Sequence, residues 1–189
     1  KTSKIIYHKF AKMYNLNHKK IVINDIFLVK YSYNYQGKFK YYKDRSDFSF
    51  IVALNDNFEG GGTTFKNDHK NIKLNTGDCL LFSGRNTYKS DVITPGTRYI
   101  LAGFLNYGSP DTKLISNMKY TDTNLYSWNK ARTLNQHKLK NTFKKFGGII
   151  IPKILSKLDC KNLLRIVYRE YKNKNKKYGN IMSIGKRKD

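Results

Sequence analysis

The chain has 189 residues, 37 of them Lys or Arg against 13 Asp or Glu, for a formal charge of +24. At 39% hydrophobic and 14% aromatic residues it holds enough apolar side chain for a packed core and is not a disordered basic tail. No apolar run approaches the roughly 18 to 20 residues of a spanning helix, and the first residues, Lys1 to Lys4, do not begin a signal peptide. A basic balance of this size first suggests nucleic acid or another polyanion as partner. Its distribution argues otherwise: residues 1–50 carry +8, residues 51–110 only +1 and residues 111–189 +15. Abundant Lys, Asn, Ile and Tyr also fit a codon bias that supplies lysine without selection for binding.

In chain order, Ile5, Ile6, Phe10 and Met13 lie near helical spacing and predict an amphipathic helix over Lys4 to Tyr14. Ile21 to Ile23 and Ile26 to Tyr33 are β-branched and aromatic and read as strands, followed by a turn at Asn34 to Gly37. Phe48 to Leu54 reads as a strand whose Phe48, Phe50, Val52 and Leu54 alternate on an inward face. After the loop Asn55 to Gly62 come short strands at Thr63 to Phe65 and Ile72 to Leu74, then Cys79 to Phe82 behind a Thr76-Gly77 turn. Arg98 to Leu105 follows a second turn at Thr94-Pro95-Gly96. Short strands at this spacing, with no βαβ alternation, predict a mainly β sandwich or barrel with flanking helices.

Residues 111–147 are polar and lysine-rich and read as a basic linker or excursion. Aromatics interleave with its lysines (Tyr120, Tyr126, Trp128, Phe143), which keeps a polyanion-binding surface among the readings. From residue 148 a strand at Ile149 to Ile151 precedes Pro152. A helix then begins at Ser156, with Asp159 three residues on as a cap and Cys160, Leu163, Leu164, Val167, Tyr168 and Tyr171 on one face. The expected organisation is a β domain over 1–110, the excursion over 111–147 and a helix-bearing segment over 148–189. Cys79 and Cys160 have no metal-ligand spacing and read as buried thiols; with no leader visible, they favour a cytoplasmic location.

Four strings carry a resemblance: DRSDFSFIVALND (Asp44 to Asp56), FEGGGTTF (Phe58 to Phe65), GDCLLFSGRNT (Gly77 to Thr87) and ITPGTRYILAGFL (Ile93 to Leu105). Together, in this order, they resemble the core of the 2-oxoglutarate- and Fe(II)-dependent dioxygenases. The likeness is to the prolyl and lysyl hydroxylase branch, with collagen-type lysyl hydroxylases and relatives encoded by giant viruses. The resemblance implies a double-stranded β-helix (jelly-roll) core, Fe(II) and 2-oxoglutarate as cofactors, and a peptide or protein substrate. Ile149 to Leu164 looks like the entry to a further domain of the same kind; it reads either as the start of a truncated second copy or as a cover for the first sheet.

That family holds iron with a His-x-Asp pair and a distal His, and binds the far carboxylate of 2-oxoglutarate with a basic residue. On this pattern Asp44 takes the carboxylate position and Arg98, whose planar fork suits a carboxylate, the cosubstrate position. The two histidine positions read Tyr42 and Tyr88, and an alternative register for the second gives Ser90. A phenol with pKa near 10 is a poor ligand for Fe(II); a phenolate pair would favour Fe(III) and interrupt a ferrous cycle. His8, His18, His69 and His137 have no partner at ligand spacing. Three functions follow: a peptidyl-hydroxylase-like oxygenase, a non-catalytic relative serving as scaffold or binding module, and a basic polyanion-binding module.

Overall fold

In the computed structural model, residues 11, 20–33, 40–67, 69–108, 147–173 and 181–183 are described. The helix expected over Lys4 to Tyr14, the turn at 34–37 and residues 111–146 of the excursion lie outside this set, Ala11 apart. The strands are β1 (Ile21–Ser32), β2 (Phe48–Ala53), β3 (Thr63–Phe65), β4 (Asn71–Ile72), β5 (Cys79–Ser83), β6 (Tyr88–Ser90), β7 (Thr97–Tyr107), β8 (Gly148–Ile151) and β9 (Ile181–Ser183); the helix is α1 (Lys157–Asn173). Six strands form one antiparallel sheet in the order β8-β5-β2-β7-β1-β9, and three form a second in the order β4-β3-β6. The architecture is mainly β, as the strand rhythm predicts, and of the jelly-roll class that the resemblance implies.

β2 and β5 lie in the middle of the large sheet and are buried along their whole length. Their two faces feed two different cores. Phe48, Phe50, Val52 and Leu54, the alternation visible in the sequence, pack with Leu81, Leu101 and Leu105 beneath Leu155, Cys160, Leu163 and Val167 of the helical segment. The opposite face, with Ile51, Leu80, Phe82 and Ile100, meets Phe65, Ile72 and Tyr88 of the small sheet. The rings of Phe65 and Phe82 meet edge-on at 5.2 Å. Near-continuous apolar strands are what burial on both faces demands.

β1 is a single strand where the sequence suggested two. Its pairing with β7 shifts between Ile23↔Leu105 and Asp25↔Phe104, leaving Asn24 as an extra residue. Such a bulge moves every following side chain to the other face, which explains the broken apolar pattern.

β8 pairs antiparallel with β5, Cys79 opposite Ile151 and Leu81 opposite Ile149. The connection to α1 is pinned at its centre by the buried Asp78, which accepts from the Lys153 amide at 3.0 Å and the Asn75 side chain at 3.0 Å. Gly77, at φ 87°, lets the Leu155 backbone pass so closely that a β-carbon would run into its carbonyl oxygen. Ser156 then caps α1 reciprocally: its hydroxyl accepts from the Asp159 amide at 3.1 Å while Asp159 accepts from the Ser156 amide at 3.1 Å. Ser156→Ala should lower stability by about 1 kcal/mol, seen as a lower urea midpoint with an unchanged slope. No described helix is long and apolar enough to cross a membrane.

Candidate functional site

The site lies where the small sheet meets the segment leading into β2. Tyr42 and Tyr88 form a reciprocal backbone pair, each amide donating to the other's carbonyl at 2.9 Å. A pair this close sets the two side chains on the same face, and their rings lie 4.5 Å apart. Two residues beyond Tyr42, the Asp44 carboxylate receives the Tyr88 hydroxyl at 3.2 Å on Oδ1 and 3.0 Å on Oδ2. Ser49 of β2 donates to Oδ2 at 2.5 Å and is itself 3.1 Å from the Ser46 hydroxyl. Tyr42, Asp44 and Tyr88, separated by up to 46 positions in sequence, thus converge on one point.

Electrostatics at this point favour uncharged phenols. Tyr88, 4% exposed, has its pKa pushed strongly upward by burial first and then by the neighbouring Tyr42 and Asp44. Tyr42 leaves 42% of its surface exposed, and burial of the remainder leads the causes that raise its pKa, with Tyr31 next. Burial also raises Asp44 above the ordinary 3.8, while the hydrogen bonds from Ser49 and Tyr88 pull it back down. The folded state therefore holds the Asp44 proton more tightly than the unfolded chain. Its contribution to stability is fully present below the unfolded value and is lost as pH rises through the raised folded value. Asp44→Asn, which cannot ionise, should gain stability relative to the unmodified chain as pH climbs from 4 to 7, as urea unfolding across that range would show.

Arg98 opens β7 opposite Tyr31 of β1 and is 4% exposed. Its guanidinium lies over the Tyr31 ring at 5.3 Å, donates to the Gly62 carbonyl at 2.8 Å and reaches the Thr63 hydroxyl at 3.4 Å. Burial lowers its pKa, but arginine remains protonated. Gly60, Gly61 and Gly62 all have positive φ (68°, 61° and 114°), and this loop carries the carbonyl that Arg98 binds. Arg98 also lines a cavity of about 200 Å³ with Phe58, Lys73, Leu74 and Asn75; Tyr42, Asp44 and Tyr88 do not belong to its wall.

Ser90, the alternative register, donates to the Tyr31 hydroxyl at 3.0 Å instead of joining Asp44. His69 is exposed at φ 54° in the β3–β4 connection, and the other three histidines lie outside the described residues. Among the described residues no cluster of three or more His, Cys, Asp or Glu side chains is placed to hold a metal ion. Ser49 and Tyr31 did not emerge from the sequence as site residues. A serine between Phe48 and Phe50 in a wholly buried strand was the available signal for the first, since a buried hydroxyl needs a partner.

No protein-family model matches the chain. Over 95 residues it is 32% identical to the multifunctional procollagen lysine hydroxylase and glycosyltransferase of Caenorhabditis elegans. The match covers 47% of this chain and 13% of the worm protein, so the chain spans a small part of that relative's length. Among solved structures, an oxidoreductase of the 2OG-Fe(II) oxygenase family from Burkholderia pseudomallei overlaps 55% of this chain and 51% of its own, with a TM-score of 0.46 and 14% identity. ToxT from Vibrio cholerae O395 overlaps 84% and 48%, with a TM-score of 0.35 and 10% identity. Neither overlap is close enough to argue from.

Ferrous iron in such an oxygenase needs imidazole nitrogens beside one carboxylate. The donor set here is two phenols and Asp44, and the Tyr88 hydroxyl already donates to that carboxylate. These residues do not fit Fe(II).

Proposed function

We propose that the chain carries a peptidyl-hydroxylase-like oxygenase domain that has given up ferrous iron and acts as a non-catalytic binding or scaffolding module. The observation that supports this reading is the contact of the Tyr88 hydroxyl with both Asp44 oxygens, where the resemblance places an iron and its ligands. With protonated phenols at both positions flanking the carboxylate, one ligand is left for the metal, and one carboxylate does not retain Fe(II). Arg98 stands at the 2-oxoglutarate position of the resemblance, but its fork is engaged by Gly62 and Thr63.

The natural partner of the module is a peptide or protein, by analogy with the hydroxylase it resembles. The test is decarboxylation of 2-oxoglutarate by the unmodified chain with Fe(II) and ascorbate, using lysine- and proline-containing peptides. No succinate above the metal-free blank is expected. Stoichiometric or catalytic succinate release would overturn the reading.

A further inference from the structure

The exposed side of α1 carries a row of cations that neither the core nor the oxygenase resemblance accounts for. We infer that this row, Lys157, Lys161, Arg165 and Arg169, with the half-exposed ring of Tyr168 beside it, binds single-stranded nucleic acid without regard to base sequence. The inference goes beyond the non-catalytic reading and does not depend on it, because it concerns a different surface.

The geometry of the row comes from the helix. α1 buries Cys160, Leu163 and Val167 against the large sheet and leaves all four cations exposed. They recur at every fourth residue, about 6 Å apart along the axis and about 18 Å from first to last. Four residues overshoot one turn by about 40°, so the row slants from the margin of the buried face at Lys157 to the outward side at Arg169. A codon bias supplies lysine but sets no such period.

Like charges at this spacing repel and weaken a helix. Between Lys157 and Arg169 the one acid is Asp159, whose carboxylate accepts from the Ser156 amide and hydroxyl as part of the cap. From outside the helix, Asp56 lies within electrostatic reach of Lys157. A phosphate backbone matches the row charge for charge and relieves the repulsion, and the two guanidinium forks suit phosphate oxygens.

Tyr168 narrows the partner from any polyanion to one with unpaired bases. The helical period puts it with the apolar residues, yet half of its surface is exposed, at 50%. Its ring stands edge-on to Tyr99 at 5.6 Å, which braces it, and it lies one turn beyond Arg165 and next to Arg169. A braced ring beside a basic track is what base stacking on a single strand uses; in a duplex the bases already stack on each other. A membrane surface fits less well. An interfacial helix turns a continuous apolar face to the lipid, whereas that face of α1 is taken up by the core, and Leu158 and Ile166 are its exposed aliphatics among the described residues.

The test is fluorescence anisotropy of a labelled 20-nucleotide oligothymidylate with the full chain, between 50 and 200 mM salt. Lys161→Gln, Arg165→Gln and Arg169→Gln together should weaken binding at least tenfold at 50 mM. They should also flatten the slope of log affinity against log salt by about two, at about 0.7 per phosphate contact on a single strand. A control that removes three exposed cations elsewhere, Lys43→Gln, Lys66→Gln and Arg85→Gln, should stay within threefold of the parent. Tyr168→Leu, which keeps an apolar contact for Tyr99, should weaken the oligothymidylate about fivefold and leave binding of a duplex of the same length unchanged. If the triple α1 variant fails to fold, Arg165→Gln alone decides, by a slope lower by about 0.7. Equal losses in the α1 and control variants overturn the site, since diffuse charge would then suffice. Unweakened binding by Tyr168→Leu, or tighter binding of the parent to phosphatidylserine vesicles or polyglutamate than to the oligothymidylate, overturns the single-stranded partner. None of these results bears on succinate release with Fe(II), so this inference and the non-catalytic reading fail separately.

Discussion

Tyr42→His together with Tyr88→His should create the Fe(II) binding that, on the non-catalytic reading, the unmodified chain lacks. Imidazole is shorter than phenol, so the double change withdraws the hydroxyl that now donates to Asp44 and puts a neutral nitrogen donor on each side of it. Asp44 keeps its Ser49 bond and so its orientation. The variant then presents two imidazoles and a carboxylate with open positions remaining, the facial arrangement that ferrous oxygenases use. An ion that binds only the folded state stabilises it by about 2.7 kcal/mol at a hundredfold excess over its dissociation constant. An anaerobic melt with and without Fe(II) should show a rise of several degrees in the double variant and no change in the unmodified chain. Each single variant, with one imidazole and one carboxylate, should fall well below the double. An equal rise in the unmodified chain would mean that the tyrosines already tolerate Fe(II) and would remove the basis for the non-catalytic reading. Should iron bind to the double variant, 2-oxoglutarate ought to strengthen that binding only while Arg98 is intact.

The elements most legible in the sequence were those whose side-chain pattern is local. Phe48, Phe50, Val52 and Leu54 alternate and line one core; Ser156 and Asp159 cap a helix three residues apart. What the sequence concealed depends on distant partners. β6 is only Tyr88–Ser90, with a lysine at its centre, and is a strand because β3 pairs with it and Tyr42 bridges to it. The convergence of Tyr42, Asp44 and Tyr88 was expected from the resemblance and not from periodicity. Their mutual hydrogen bonds had no local sign at all. Nor did the seat of Arg98: the carbonyl that holds it comes from the glycine loop 36 positions earlier and the hydroxyl from Thr63 at the start of β3. Tyr31, the ring beneath it, is set by the β1–β7 register, which the bulge at Asn24 shifts.

Truncation after residue 110 should leave a chain that does not fold, although the motif-bearing strands β1 to β7 would all remain. β8 is hydrogen-bonded along β5, so its removal exposes the edge of a strand that is otherwise wholly buried. An uncovered apolar edge of this kind is a template for aggregation. The loss of the apolar side chains of β8, the turn after it and α1 is larger. Ile149, Ile154, Leu155, Leu163 and Val167 are each at most 9% exposed and pack on the face formed by Phe48, Phe50, Val52 and Leu54. Burying one such side chain contributes about 1.5–3 kcal/mol, so five of them rival the whole stability of a typical domain, about 5–15 kcal/mol. Their removal also bares the phenylalanines they cover. Asp78, 4% exposed, would lose the Lys153 amide that now helps satisfy its buried carboxylate. The truncated chain should accumulate as aggregate or show no cooperative melt. A soluble, cooperatively melting fragment ending at residue 110 would instead mark the segment from 148 onward as a separable unit, as a second-copy origin would allow.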